Sequence, residues 1–150
     1  MRLLVFSALL AVASAVMATD MVDVPFFDAA GNKYLSADLR SRYGHNFEKA
    51  RVLLVETPSL SSPEYQTQTK AFDSLGHEIE ELQVLLVVAC PIEEYKDGYH
   101  TSSDVARALA SGQTKFRVRL LNPTGMVLRE SSRPLAVKEL RLWLKQTASK

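Results

Sequence analysis

The chain has 150 residues, 47% of them apolar and 23% charged, with a formal net charge of +1. That length bounds a single domain, and that balance supports a folded core and excludes a disordered chain. Arg2 lies in a segment expected to be removed, so the remaining chain is close to neutral, which gives no general attraction to nucleic acid or to an anionic membrane.

Residues 1–18 read as a secretory signal. Met1-Arg2 supplies a positive start, Leu3 to Val12 is an apolar run, and Ala13-Ser14-Ala15 or Val16-Met17-Ala18 offers small residues for cleavage. A membrane-spanning helix needs roughly 20 apolar residues, and Asp20 and Asp23 interrupt this run too early. The product is expected to be secreted or periplasmic, with no membrane association after cleavage. A single domain then covers residues 19–150, with its core in 50–146. The chain contains no Asn-x-Ser/Thr glycosylation acceptor, so that signal does not separate bacterial from eukaryotic export.

Val24-Pro25-Phe26-Phe27 reads as a short strand. Asp28 to Asn32 supplies turn chemistry, since Gly and Asn accept positive φ. Lys33-Tyr34-Leu35 returns as the second arm of a hairpin. Ser36 is a plausible N-cap for a helix to Tyr43, with Asp38 in its first turn and Gly44 as its stop. Arg51 to Glu56 is nearly all apolar, the pattern of a strand covered on both faces.

From Pro63 to about Glu80 the period becomes helical. Ser62 serves as cap and Pro63 suits the first position. Tyr65, Thr69, Phe72, Leu75 and Ile79 form one inward stripe, and Gly76 weakens the helix near its end. Leu82 to Ala89 is a second buried strand, and Pro91 to Ser103 is polar and turn-rich. Asp104 to Ser111 predicts a short helix with Val105, Ala108 and Leu109 inside and Gly112 as its stop. Phe116 to Leu121, the turn Asn122-Pro123-Thr124-Gly125, and Met126 to Glu130 predict an antiparallel hairpin. Val137, Leu140, Leu142, Trp143 and Leu144 lie on a terminal helix.

The order βαβ, short helix, hairpin, helix requires a right-handed crossover between the first two long strands, which are then parallel. The predicted fold class is α/β: a thioredoxin-like mixed sheet, parallel βαβ plus a C-terminal antiparallel hairpin, with helices on both faces.

Two resemblances sharpen this. Phe27-Asp28-Ala29-Ala30-Gly31, then Leu35 to Arg40, then the apolar strand, resembles the opening of peroxiredoxins. That family follows its first long strand with a proline, a Thr or Ser four residues later, and the peroxide-reacting cysteine three beyond. Pro58 and Ser62 fit that spacing, and the cysteine position is Tyr65. The supporting arginine of that family falls near Phe116, and the residue before the third strand, around Gln113 to Lys115, is not the frequent cis-proline. The chain is also similar, over roughly residues 50–146, to domain of unknown function family 4174. This is a thioredoxin-like, peroxiredoxin-related module of exported bacterial proteins and some animal extracellular matrix proteins. The similarity rests on Arg51 to Val55, the cysteine-free Pro58 to Pro63 loop, Phe116 with Leu120-Leu121, Gly125, and Ser131 to Leu135. It implies the fold and no established activity.

Little catalytic chemistry remains. Cys90 is the only cysteine, so no intramolecular disulfide exists. Placed between an apolar strand and Pro91, it is expected to be a packing residue, with an intermolecular link or a reactive thiol as the alternatives. Glu93 and Glu94 oppose its ionisation. Ser59, Ser61 and Ser62 cluster at a helix N-terminus, where backbone N–H groups attract anions, and Tyr65 follows them. These four are the candidate binding residues, for an unidentified protein or a small anionic ligand. The bland alternative is a solvated loop, a cap and a core aromatic. His45, His77 and His100 are scattered and no Gly-x-Ser-x-Gly elbow occurs, which excludes a serine hydrolase. Glu93, Glu94, Asp97 and His100 share one loop but match no calcium or zinc spacing. No metal or cofactor is expected. Lys115, Arg117 and Arg119 alternate along one strand face, a pattern that suits salt bridges or a partner surface better than nucleic acid.

Overall fold

The computed structural model describes residues 22, 24–35, 50–110 and 115–148. The predicted signal segment and the predicted Ser36 to Tyr43 helix lie outside these described residues.

Strands β1 (Pro25–Phe27) and β2 (Lys33–Leu35) form the first hairpin. Asp28 Oδ1 accepts the Ala30 and Asn32 N–H groups at 3.0 and 2.9 Å, and Gly31 turns with φ of 87°, a conformation open to glycine. Tyr34 Oη donates to Asp28 Oδ2 at 2.5 Å. That bond and one from Asn32 hold the Asp28 carboxyl down at about 2.

Strand β3 (Arg51–Glu56) is buried along its whole length. Strand β4 (Val84–Ala89) lies parallel to it, from Arg51↔Val84 to Glu56↔Ala89. Strand β6 (Arg117–Leu121) runs antiparallel on its other side and pairs with β7 (Val127–Ser131). Between β4 and β1 sits β5 (Tyr99–His100), so the sheet order is β2-β1-β5-β4-β3-β6-β7. Helices α1 (Pro63–Asp73) and α2 (Glu78–Leu82) make the crossover; α3 (Ser103–Ala110) precedes β6 and α4 (Val137–Gln146) ends the fold.

Alternation along the central strands sorts the core into two layers. Leu53, Val55, Val88, Val118 and Leu120 pack with Tyr65, Phe72, Leu75, Leu140 and Leu144, which places α1 and α4 on one face. Val52, Leu54, Val87, Ala89 and Leu121 pack with Ala106 of α3 on the other. Each fully buried Leu or Val contributes about 1.5–3 kcal/mol.

Several expectations need correction. The single helix from Pro63 to Glu80 is two helices, because Gly76 adopts φ of 57° and the chain turns there. Leu82 belongs to α2, and Gln83 in the left-handed conformation separates it from β4. Within the loop Pro91 to Ser103, β5 adds a two-residue strand. Helix α3 buries Ala106 and exposes Ala108, so its inward face is rotated from the expected one. The terminal helix stands as expected, with Leu140 and Leu144 buried and Leu142 exposed.

Two buried polar side chains fasten the layers. Arg51 donates to the Leu144 and Leu82 carbonyls and, at 2.8 Å, to Thr147 Oγ1. Those carbonyls lie near the C-termini of α4 and α2, where a cation opposes the helix dipoles; burial lowers the pKa of this guanidinium. Gln68, fully buried on α1, accepts the Leu135 N–H at 2.7 Å and donates to the Leu135 carbonyl at 3.3 Å. It thereby holds the segment that enters α4.

Candidate functional site

At the C-terminal end of β3 the chain turns through Thr57 to Ser62 into α1. Thr57 Oγ1 donates to the Ser59 carbonyl at 2.8 Å, and Ser62 Oγ lies 2.8 Å from it. Ser62 also caps α1 by accepting the Tyr65 N–H at 3.3 Å. Ser59 Oγ stands 2.8 Å from Ser61 Oγ and accepts the Ser61 N–H at 3.1 Å. The Leu60 N–H is taken by Glu93 Oε1 at 3.1 Å. The structure thus brings Ser59, Ser61 and Ser62 into one turn, and that turn satisfies much of its own hydrogen bonding.

Tyr65 is separate from them. Its side chain is only 5% exposed and belongs to the same apolar layer as Phe116, itself 7% exposed. Burial, with smaller contributions from Tyr95, Cys90, Asp73 and Glu93, pushes the phenol up to about 12. A neutral phenol in that position is neither a nucleophile nor a proton acceptor near neutral pH. Cys90 is 2% exposed at the end of β4, whereas thiolate chemistry requires access and a stabilised negative charge.

Glu93 and Glu94 serve neighbouring elements: Glu93 bonds Leu60, and Glu94 Oε2 accepts the Ser103 N–H at the start of α3 at 3.3 Å. His100 sits in β5 with Nδ1 2.9 Å from the Gly98 carbonyl. Among the described residues no three His, Cys, Asp or Glu side chains converge as metal ligands.

The basic strip on β6 is largely internal. Arg117 Nε and Nη2 donate to the Glu56 carboxylate at 2.8 and 2.9 Å, a bidentate pair. Arg119 Nε donates to Glu56 Oε2 at 3.1 Å, and its Nη2 lies 2.9 Å from the same oxygen. Hydrogen bonding to Glu56 is the leading cause of a raised Arg117 pKa. Glu56, Leu109, Ala110, Lys115, Phe116, Arg117 and Ser132 line an open cavity of about 410 Å³ beside this cluster.

Sequence reasoning missed Glu56, Thr57 and Gln68 as organising residues, and missed the role of Glu93. A signal for Glu56 did exist. A carboxylate at the end of an otherwise apolar, doubly covered strand needs a partner, and Arg117 and Arg119 alternate on a strand that pairs with it.

No protein-family model matches the chain, and no curated protein matches it. Solved structures do. Peroxidoxin BcpB from Mycobacterium tuberculosis superposes with a TM-score of 0.60 at 16% identity, over 85% of this chain and 92% of that one. The pneumococcal exposed lipoprotein thioredoxin Etrx1 from Streptococcus pneumoniae gives 0.57 at 13% identity, over 83% and 99%. ScoI from Arabidopsis thaliana, solved with copper bound, gives 0.61 at 10% identity, over 85% and 98%. Identities this low speak to architecture alone, and the architecture they share is the thioredoxin-like, peroxiredoxin-like fold that this chain adopts.

Proposed function

We propose that the chain is an exported, non-catalytic binding or structural module on a thioredoxin-like scaffold, in the manner of domain of unknown function family 4174. One observation carries this reading. Tyr65, at the position where the peroxiredoxin pattern has its cysteine, is a packed core residue alongside Phe116. An aromatic pair fills the place that peroxide chemistry would need as a pocket with a thiolate and a cation. The one thiol of the chain, Cys90, is buried.

Export is supported by residues 1–18 and their small-residue cleavage sites. The contact surface in this reading is the Ser59 to Ser61 turn with its neighbourhood, including Ile92, which is 70% exposed next to the loop that Glu93 ties to Leu60. Tyr65 lies beneath that surface and supports it from inside. The partner is a protein or a small anionic ligand.

The test is hydrogen peroxide consumption by the mature protein with a thiol reductant, run beside Cys90→Ser. The expected result is background consumption by both. Turnover in the unmodified protein that disappears in Cys90→Ser overturns the reading and makes the chain a thiol peroxide reductase.

A further inference from the structure

We infer that the cavity beside Glu56 is a binding site for a small organic carboxylate with an apolar body. It goes beyond the module reading and does not depend on it, since a thiol enzyme on this scaffold would carry the same cavity. Its polar groups share the sheet face of Leu54, where α3 packs, whereas Tyr65 belongs to the α1 and α4 face.

The first reason is unspent hydrogen-bonding capacity. Arg117 commits Nε and Nη2 to Glu56, with Nη2 also reaching the Leu109 carbonyl at 3.3 Å. Among the described residues its Nη1 makes no hydrogen bond and approaches Glu130 Oε1 at 3.9 Å. Lys115 and Ser132 line the same cavity, and no hydrogen bond or ion pair engages their side chains among the described residues. A guanidinium edge, an ammonium and a hydroxyl therefore border one space, and the first two offer donors only. The Glu56 pair also fixes the plane of the Arg117 guanidinium, so a ligand meets a pre-oriented edge.

The second reason is charge. Arg117 and Arg119 engage Glu56, Arg117 also approaches Glu130, and Lys115 borders the same cavity, so three cations against two carboxylates leave +1. A monoanion neutralises that excess, and a dianion overshoots it. The third reason is the wall: Leu109 and Ala110 of α3 supply apolar surface next to the donors. A few hundred Å³ with apolar walls and few convergent polar groups is the usual form of a small-molecule site. A carboxylate with a short hydrocarbon chain meets all three conditions.

The test is an amide-resolved NMR titration of the full mature chain with hexanoate, with hexanol and with inorganic phosphate. Hexanoate is expected to shift the Lys115, Phe116, Arg117 and Ser132 amides saturably, with a Kd on the order of 1 mM. Hexanol and phosphate are expected to bind about tenfold more weakly or not at all. Lys115→Gln, a change on an exposed rim residue that leaves the Glu56 cluster intact, is expected to weaken hexanoate about tenfold, the loss of one charge-assisted contact. Ser132→Ala is expected to weaken it less. The inference is overturned if hexanoate gives no saturable shift, if its shifts centre on Ser59 to Tyr65, if phosphate binds as well, or if Lys115→Gln changes nothing.

Discussion

Two regions at the C-terminal end of β3 differ in how completely their chemistry is used. On the α1 face, the Thr57 to Ser62 turn bonds extensively to itself, and Tyr65 and Phe116 fill the space beneath it. On the α3 face, Glu56 engages two arginines and still leaves Arg117 Nη1, Lys115 and Ser132 with donors to spare. The comparison teaches that position in a fold does not confer activity. A thioredoxin-like architecture fixes the course of the chain but not the chemistry at the end of β3, where two buried aromatic residues add to the core in this protein. Binding capacity resides where polar groups converge without partners.

If the α1 region is core, truncating it must cost like core. Tyr65→Ala is expected to lower stability by about 4 kcal/mol, from lost transfer energy and the cavity left behind. The shift of the urea midpoint at constant slope measures it, and a loss below about 1 kcal/mol would make Tyr65 a surface residue in solution. The α3 region is held electrostatically. Glu56→Gln leaves two guanidiniums facing each other without their shared carboxylate, and is expected to cost about 3 kcal/mol. The value sits at the low end for such a change because Arg117 is one-third exposed and water screens it. Raising the salt concentration should reduce this loss but leave that of Tyr65→Ala unchanged, which separates the two regions by mechanism.

Gln68→Met keeps the shape of the side chain while removing both bonds to Leu135. A buried backbone N–H is then left unpaired, with an expected cost of about 2 kcal/mol and faster amide exchange at Leu135. The smallest effect concerns the phenol itself. Tyr65→Phe removes a hydroxyl that has no hydrogen-bond partner among the described residues, and is expected to change stability by less than about 1 kcal/mol near neutral pH. At alkaline pH it should matter. The folded phenol titrates at about 12 against an ordinary value of 10.0, so between those limits the folded chain holds a proton that the unfolded chain has lost. Stability from the neutral buried phenol is therefore complete below pH 10 and declines as pH rises toward 12. Tyr65→Phe should flatten that decline in alkaline urea titrations; an unchanged profile would place the phenol in water.

Much of this fold was legible before any coordinates. Val52 to Val55 and Leu85 to Ala89 are unbroken apolar runs and could only be central, doubly covered strands. Ser62-Pro63 marked the start of α1, and Asn122 to Gly125 marked the hairpin turn. The errors have physical causes. Gly76 carried more weight than the apolar stripe through it, because positive φ ends an α-helix outright. Strand β5 is too short to show a period and exists because β1 and β4 flank it. Helix α3 was phased on Val105, Ala108 and Leu109, yet Ala106 is the residue buried against the sheet and Leu109 packs at its margin.

The candidate site was legible in one respect only. A missing cysteine at Tyr65 is visible in the letters, and so is the serine cluster. What the letters hide is pairing across distance: Glu93 with Leu60, Gln68 with Leu135, and Glu56 with Arg117 and Arg119. Each joins residues more than thirty positions apart, and only the assembled sheet brings them together.

The burial of the chain's single thiol, on which the non-catalytic reading depends, can be tested on Cys90 directly. The native protein is exposed to a thiol-alkylating reagent at neutral pH, its intact mass is followed, and the same chain in denaturant serves as the reference. Cys90 should stay unmodified in the native protein over times in which the denatured chain is labelled completely. Native labelling at a comparable rate, or a mass gain of oxygen at Cys90 after brief peroxide treatment, would show a thiol open to solvent and contradict the packed site described above.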